Sequence, residues 1–428
     1  MIMNINIQSI RGIHDYLPKD AEKFRNIENI LLSILKSYCF QEIKLPLLEK
    51  TDLFYRTIGP STDVLEKEMY NFESKSNEKI SLRPEGTISC VRAVIQHNLL
   101  KQNLEQRLWY SGPMFRYERP QKGRYRQFYQ LGTEIFGISG EEIELELLTI
   151  NYTWWKKLGI HKLLSLEINS IGSYEERKEF EKKILLFFRK YESIFDHELK
   201  TTLLKNPLRL LDSKNPIIKN ILFKAPKLFD SLHQDTHLKF KKICILLKLM
   251  KIPFIVNKNL IRGLDYYNDL VFEWTINDAN TQNTICAGGR YNLLMSKLGG
   301  TNTPSLGCAV GLDRLLLLLN KHKIFDKKNN TVDIYIICLE NSIQLSVLKI
   351  SAMIRKKFSK IRIKIDFSSR KLSKKIKHAV NSFSKLMFIF GKKEIMNNCI
   401  LVKNLIKHTQ KNIPIDQVIN YLSFFFKY

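Results

Sequence analysis

The sequence predicts an α+β protein: antiparallel strands with interspersed helices, a helical insertion inside that core, and a small α/β domain after it. Three observations carry this prediction. Extended, aromatic-rich segments follow one another around Met69–Gly137, punctuated by Pro and Gly at turn positions. From Ser173 to about Lys251 the texture becomes Lys/Leu-rich with helical periodicity and few glycines. Beyond a polar linker at Asp326–Thr331, strand and helix patterns alternate.

Taken in order, Ala21–Phe40 reads as an amphipathic helix, because Phe24, Ile27, Leu31, Ile34, Leu35 and Tyr38 share one face and Asp20 can cap it. Glu42–Leu48 is a short extended piece, demoted to an edge or interface strand by Pro46. After a polar loop at Gly59–Glu66, strands are expected near Met69–Glu73 and Lys79–Arg83. Pro84–Gly86 then turns into a helix reaching Asn98. The hairpin Met114–Gly137 follows, its loop at Arg119–Gly123. Extended character resumes at Pro253–Trp274 and Cys286–Tyr291, before a helix at Val310–Lys321. The last domain reads as Val332–Leu339, Ile343–Phe358, Ile361–Phe367, Leu372–Phe383, Leu386–Phe390, Cys399–Val402 and Ile415–Phe425.

Charge bounds the function. The 428 residues carry 69 Lys+Arg against 42 Asp+Glu, a net +27. Residues 321–428 hold 23 of those bases and only 6 acids, so a quarter of the chain carries most of the surplus. Such concentration suits a polyanion and marks this segment as a candidate nucleic-acid-binding domain. Seven scattered cysteines without a C-x-x-C pair read as buried thiols in a reducing compartment, with no zinc spacing. The N-terminus lacks a signal-peptide core, and the longest apolar run, Leu315–Leu319, is too short to span a bilayer. The cytoplasm is the expected location.

Neither G-x-x-x-x-G-K-[ST] nor G-x-G-x-x-G after a strand is present, so any nucleotide sits on another scaffold. The hairpin gathers Arg107, Arg116, Arg119, Lys122, Arg124 and Arg126, and guanidiniums match phosphate oxygens bidentately. LRPEGT (Leu82–Thr87) puts Glu85 and Thr87 at a helix start, where they can face a ligand amine or cap the helix. IRGLDYYN (Ile261–Asn268) joins an arginine, a glycine turn and two tyrosines. CAGGRYN (Cys286–Asn292) brings a double glycine beside Arg290 and Tyr291. LGCAVGLDRLLLLL (Leu306–Leu319) reads as a glycine-opened amphipathic helix, with Gly311 leaving room for a phosphate near Arg314.

Together these segments resemble the histidyl-tRNA synthetases, a branch of the class II aminoacyl-tRNA synthetases, over essentially the whole chain. The first helix and the Pro46 strand look like class motif 1. TDVLEKEMYNFE and LRPEGT match the early core, FRYERPQKGRYRQFYQLGTEIFG matches motif 2, and LGCAVGLDRLLLLL matches motif 3. RGLDYY and AGGRY resemble the histidine-branch signatures, and GKKEIMNNCILVKNL resembles the anticodon-binding domain. The resemblance implies a catalytic domain at 1–325, with its insertion at about 173–252, and an anticodon-binding domain at 331–428. It also implies ATP-dependent attachment of L-histidine to tRNA(His) through histidyl-adenylate.

Residue by residue, the resemblance makes Arg116 and Arg262 the α-phosphate clamps and Arg314 the γ-phosphate contact. Glu134 and Tyr267 match the imidazole contacts, and Glu85, Thr87 and Gln130 those around the α-amino group. Tyr266, Gly288, Gly289 and Tyr291 are expected to line the pocket, while Arg119 and Gln121 resemble readers of the tRNA acceptor end. ATP is a substrate that carries its own Mg²⁺, no structural metal is expected, and a homodimer is implied. Departures from the family pattern are Tyr117, Tyr129, Asn292 and Asp313. Rival readings are a regulatory paralogue from histidine biosynthesis, a synthetase of the same subclass for another amino acid, and a basic nucleic-acid-binding protein on a degenerate core.

Overall fold

A computed structural model describes residues 7–58, 62, 64–205, 207–212, 215–277, 284–325 and 332–427. The chain forms two compact units, Met1–Phe325 and Asp326–Tyr428. The expected polar linker 326–331 lies outside the described residues, as does most of the first half of the Gly59–Glu66 loop.

Among the described residues, eleven strands build the first unit: β1 (Gln41–Glu42), β2 (Leu48–Lys50), β3 (Asn71–Glu73), β4 (Lys79–Leu82), β5 (Gln106–Phe115), β6 (Gln127–Phe136), β7 (Leu164–Ser170), β8 (Ile255–Val256), β9 (Asn268–Ile276), β10 (Thr284–Arg290) and β11 (Ser305–Gly311). Eight of them form one sheet in the order β1-β5-β6-β11-β10-β9-β7-β8, and β2-β4-β3 form a second. Every pairing inside the large sheet is antiparallel except its two outermost ones, β1 with β5 and β7 with β8.

Strand alternation divides the large sheet into two faces. On β6, Leu131 and Ile135 join a core built against the helices Pro18–Ser37, Glu141–Lys157 and Leu312–Lys321, around Trp154, Trp155 and Trp274. Phe128, Glu134 and Phe136 point the other way, where Val91, Val94, Met114 and Tyr291 pack. The Glu141–Lys157 helix begins with Glu141, Glu142 and Glu144 and ends with Lys156 and Lys157, so its charges complement the helix dipole. Between β7 and β8 the chain is helical, with Tyr174–Arg189 opened by a Ser173/Glu176 capping box and Gln234–Leu249 closing the stretch.

Several boundaries differ from the sequence reading for identifiable reasons. The first helix starts at Pro18 with Leu17 as its cap, because proline is preset for a first helical position; Asp20 falls in the first turn instead. The expected Glu42–Leu48 strand ends at Glu42, and the carbonyls of Leu45 and Pro46 accept from Arg83 Nη1 at 3.0 and 3.3 Å. The hairpin loop is wider than Arg119–Gly123. After Arg116 N donates to Arg126 O at 2.9 Å, Tyr117 N turns away to Glu68 O at 2.6 Å. Leu306–Gly311, expected as the opening of a helix, is strand β11, and the helix begins at Leu312.

The second unit holds β12 (Ile334–Cys338), β13 (Ile363–Asp366), β14 (Leu386–Phe390), β15 (Cys399–Asn404) and β16 (Thr409–Pro414), in the order β13-β12-β14-β15-β16. Its first three strands are parallel, with the crossover helices Gln344–Lys357 and Leu372–Asn381, and its last two are antiparallel. β16 escaped the sequence reading because TQKNIP lacks apolar alternation and is exposed except at Ile413. Among the described residues, no helix is long and apolar enough to cross a membrane.

The double glycine of β10 is dictated by packing. A Cβ on Gly288 would lie 2.2 Å from Gly307 O and 2.5 Å from Cys308 Cβ on the neighbouring strand. Gly288→Ala should therefore force β10 and β11 apart and lower stability by about 1–3 kcal/mol. Chemical denaturation is the check, and an unchanged midpoint would show that the sheet yields freely there.

Candidate active site

A pocket of about 260 Å³ opens on the face of the large sheet that carries Phe128, Gln130 and Ala309. Three arginines from separate parts of the sequence converge on it: Arg116 after β5, Arg262 before β9, and Arg314 in the first turn of the Leu312–Lys321 helix. Arg116 Nε donates to Pro84 O at 2.9 Å, and its guanidinium lies 5.4 Å from the Phe128 ring centre. Arg314 donates from Nε to Gly123 O at 2.9 Å and from Nη1 to Thr284 O at 2.8 Å. Arg262 is ion-paired with Glu273, which also accepts from Thr284 Oγ1 at 2.6 Å.

Burial pulls the pKa of both Arg116 and Arg314 down; Arg262 adds to this for Arg116, and Arg116 and Arg124 for Arg314, while Glu68 and Glu85 offset the first and Glu273 and Asp313 the second. Burial opposes the charge of Arg262 too, but Glu273, Tyr267 and Tyr266 outweigh it and leave that pKa raised. Fixed cations around a small cavity bind anionic groups such as phosphates and stabilise charge that develops on them.

The rest of the wall is amphipathic. Glu85, Thr87, Gln130, Tyr266 and Tyr267 line the pocket. Glu85 does both things its position allows: its carboxylate accepts from Ile88 N at 2.8 Å and Thr87 N at 3.1 Å, capping the helix, while Tyr266 OH donates to it at 3.2 Å. Burial raises its pKa against those amide donors. Burial likewise pushes Tyr267 up to about 12, which keeps the phenol a donor at neutral pH.

Four other expected pocket residues lie elsewhere. Glu134 is fully buried one layer beneath the wall, accepting from Thr87 Oγ1 at 2.7 Å, Tyr110 OH at 3.0 Å and Tyr291 OH. It and Tyr291 therefore support the pocket from behind through Thr87, rather than lining it. Gly288 and Gly289 are likewise not wall residues. A Cβ on Gly289 would meet Leu270 O at 2.4 Å, so both glycines serve strand packing. Gly311, by contrast, lines the pocket beside Arg314, and a Cβ there would stand 3.9 Å from Arg314 Cδ. Arg119 and Gln121 are exposed on the 116–126 loop, outside the pocket wall.

The pocket also recruits Arg124, one of the hairpin's basic side chains, and Glu118, Tyr125, Phe128, Glu273 and Thr284, which sequence reading left without a role. Arg124 pairs with Glu118 across the loop. Glu273 was detectable as a lone carboxylate in the apolar run Val271–Trp274. The departures Asn292 and Asp313 have defined work: Asn292 Oδ1 accepts from Ser305 N at 2.9 Å, and Asp313 Oδ2 accepts from Tyr129 N at 2.6 Å. Burial raises the Asp313 pKa to about 6.

An antiparallel sheet bearing arginines at these three places is the catalytic architecture of a class II aminoacyl-tRNA synthetase. A family model described as histidyl-tRNA synthetase matches residues 12–175, and one described as an anticodon binding domain matches residues 333–424. The chain is 48% identical over 94% of its length to a histidine–tRNA ligase of Buchnera aphidicola subsp. Schizaphis graminum, covering 94% of that protein. A second histidine–tRNA ligase, from Buchnera aphidicola subsp. Baizongia pistaciae, is 45% identical over 98% of this chain and 99% of its own. The apo histidyl-tRNA synthetase of S. aureus superposes with a TM-score of 0.82 at 32% identity, over 97% of this chain and 99% of that one. The chain belongs to the histidyl-tRNA synthetase family.

Glu134 gives the site a pH signature. Burial, aided by Glu85, raises its pKa from 4.5 to about 8 against the hydrogen bonds of Tyr291, Thr87 and Tyr110. A carboxyl raised in the folded state stays protonated there while the unfolded chain ionises. Its stabilising contribution is thus complete below about pH 4.5 and lost as pH rises through about 8. Because an amide cannot ionise, Glu134→Gln should gain melting temperature relative to the unmodified chain between pH 5 and pH 8. A pH-independent difference would contradict the protonated state.

Proposed function

We propose that this chain attaches L-histidine to tRNA(His) in two steps, consuming ATP. The histidine carboxylate attacks the α-phosphorus of ATP, expelling diphosphate and leaving histidyl-adenylate. A ribose hydroxyl of the terminal adenosine of the tRNA then attacks the activated carbonyl carbon, and AMP leaves. The observation that carries this reading is the convergence of Arg116, Arg262 and Arg314 on one pocket whose remaining wall offers Glu85, Thr87, Gln130 and Tyr267.

In the first step negative charge gathers around the α-phosphorus, and Arg116 and Arg262 hold it. Arg314 takes the far phosphates. The substrate carboxylate is already ionised, so no protein base is required. Glu85, Thr87 and Gln130 receive the α-ammonium group, Tyr267 and Tyr266 bound the side-chain end, and Glu134 polarises that end through Thr87 and Tyr291. A side chain that left these buried groups unpaired would lose roughly 1–3 kcal/mol per group. Mg²⁺ would be carried in by the phosphates of ATP and would offset part of their charge.

The exposed Arg119 and Gln121 meet the acceptor end of the tRNA, and the second unit, with its basic surplus, meets the anticodon region. The catalytic domain spans 1–325, with its helical insertion at about 173–252, and the anticodon-binding domain spans 331–428. A homodimer using the Pro18–Ser37 helix and the Pro46 segment, in the cytoplasm, completes the reading; the free thiols fit a reducing compartment.

ATP–diphosphate exchange should appear with histidine alone among the common amino acids, and its absence from folded protein would refute the assignment. Arg262→Ala should slow single-turnover adenylate formation by roughly 10²–10³-fold. Adenylation at the unmodified rate would remove Arg262 from the reaction.

A further inference from the structure

The stretch Arg11–Tyr16 precedes the first helix and contributes no strand, yet it touches both sides of the phosphate end of the pocket. Gly12 O accepts from Arg126 N at 2.8 Å, and Arg11 O from Arg126 Nη1 at 3.4 Å. Gly12 is buried with φ +87°, and a Cβ there would stand 2.8 Å from Pro120 Cγ and 3.1 Å from Arg126 Cγ. Only glycine lets the backbone lie this closely on the 116–126 loop. The His14 ring meets Tyr125 edge to face at 4.5 Å, and Tyr125 is a wall residue.

Two residues on, contact passes to the other wall. Tyr16 OH donates to Asp313, whose second oxygen holds Tyr129 N at 2.6 Å. The Tyr16 ring packs edgewise on Phe24 at 5.3 Å and Tyr129 at 5.6 Å. Asp313 immediately precedes Arg314, and Arg314 Nε reaches back to Gly123 O in the loop at 2.9 Å. The contacts therefore close a ring: strap to loop, loop to Arg314, Arg314 to Asp313 along the helix, and Asp313 back to the strap.

We propose that Gly12–Tyr16 is a positioning strap that fixes the 116–126 loop against the start of the Leu312–Lys321 helix, and so sets the ATP side of the pocket. The inference rests on the reading of that side as the nucleotide phosphate site. None of the strap residues is a pocket wall residue, so they act through Tyr125, Arg126 and Asp313. The amino-acid end, built from Glu85, Thr87, Gln130 and Tyr267, receives no strap contact among the hydrogen bonds and ring contacts described above.

That asymmetry supplies the test. Gly12→Ala and Tyr16→Phe are compared with the unmodified full-length chain in histidine-dependent ATP–diphosphate exchange, varying ATP and histidine separately. Each variant should raise the KM for ATP roughly tenfold, since small misplacements of such groups are costly. The KM for histidine should stay within about twofold, and the thermal midpoint of Tyr16→Phe should barely move. An unchanged KM for ATP in both variants overturns the strap, as do equal rises for both substrates accompanied by a fall in melting temperature. Calorimetric titration of ATP into the same proteins keeps the two readings apart. Exchange missing from the unmodified chain would sink the reaction, whereas ATP affinity would still decide the strap.

Discussion

The catalytic unit is organised around a carboxyl group held away from water. Glu134 projects from β6 to a point where hydroxyls from three other segments end on it: Thr87 at a helix start, Tyr110 on β5 and Tyr291 just after β10. Burying such a group is costly unless its hydrogen bonds are met, so the surrounding chain has little freedom. The glycines report that constraint. A Cβ on Gly307 would sit 1.8 Å from a Glu134 oxygen, and one on Gly86 or Gly132 would lie 2.1 Å from the Tyr110 ring. Sheet register, helix start and pocket wall are thus locked together by one side chain.

Above that layer, the three arginines are held in two different ways. Arg116 is oriented by a backbone carbonyl, which fixes its direction without cancelling its charge. Arg262 is instead matched to the Glu273 carboxylate. One guanidinium is thus anchored by a carbonyl and the other by a carboxylate that shares its charge. Carbonyl anchoring holds a guanidinium in place before any ligand arrives, and electrostatic stabilisation is strongest from groups that need not reorganise.

Much of this was legible in the sequence, for definite reasons. Long strands and helices betray themselves by periodicity, which is why Leu386–Phe390 was read with its observed bounds and the family signatures led to the pocket arginines. The resemblance named segments rather than layers. Glu134, Tyr291, Gly288 and Gly289 are not wall residues, because whether a residue lines a cavity or props up its wall depends on strand neighbours far apart in sequence. Gly307 opposes Glu134 across β11 and β6, a pairing no local pattern encodes. Glu273 went without a role for the same reason, since its partner, Arg262, becomes informative only once the chain has folded. Short elements were lost differently: β16 has almost no buried face to leave a mark.

The large sheet ends on both sides in strands of two residues, Gln41–Glu42 and Ile255–Val256. Each pairs in parallel with its neighbour, and Pro46 or a turn soon carries the chain away. A sheet this wide would otherwise present two long rows of unpaired amides and carbonyls, an invitation for another chain to add itself. The stubs leave room for only a bond or two. In the catalytic unit, the large sheet therefore offers little free edge on which another copy could extend it.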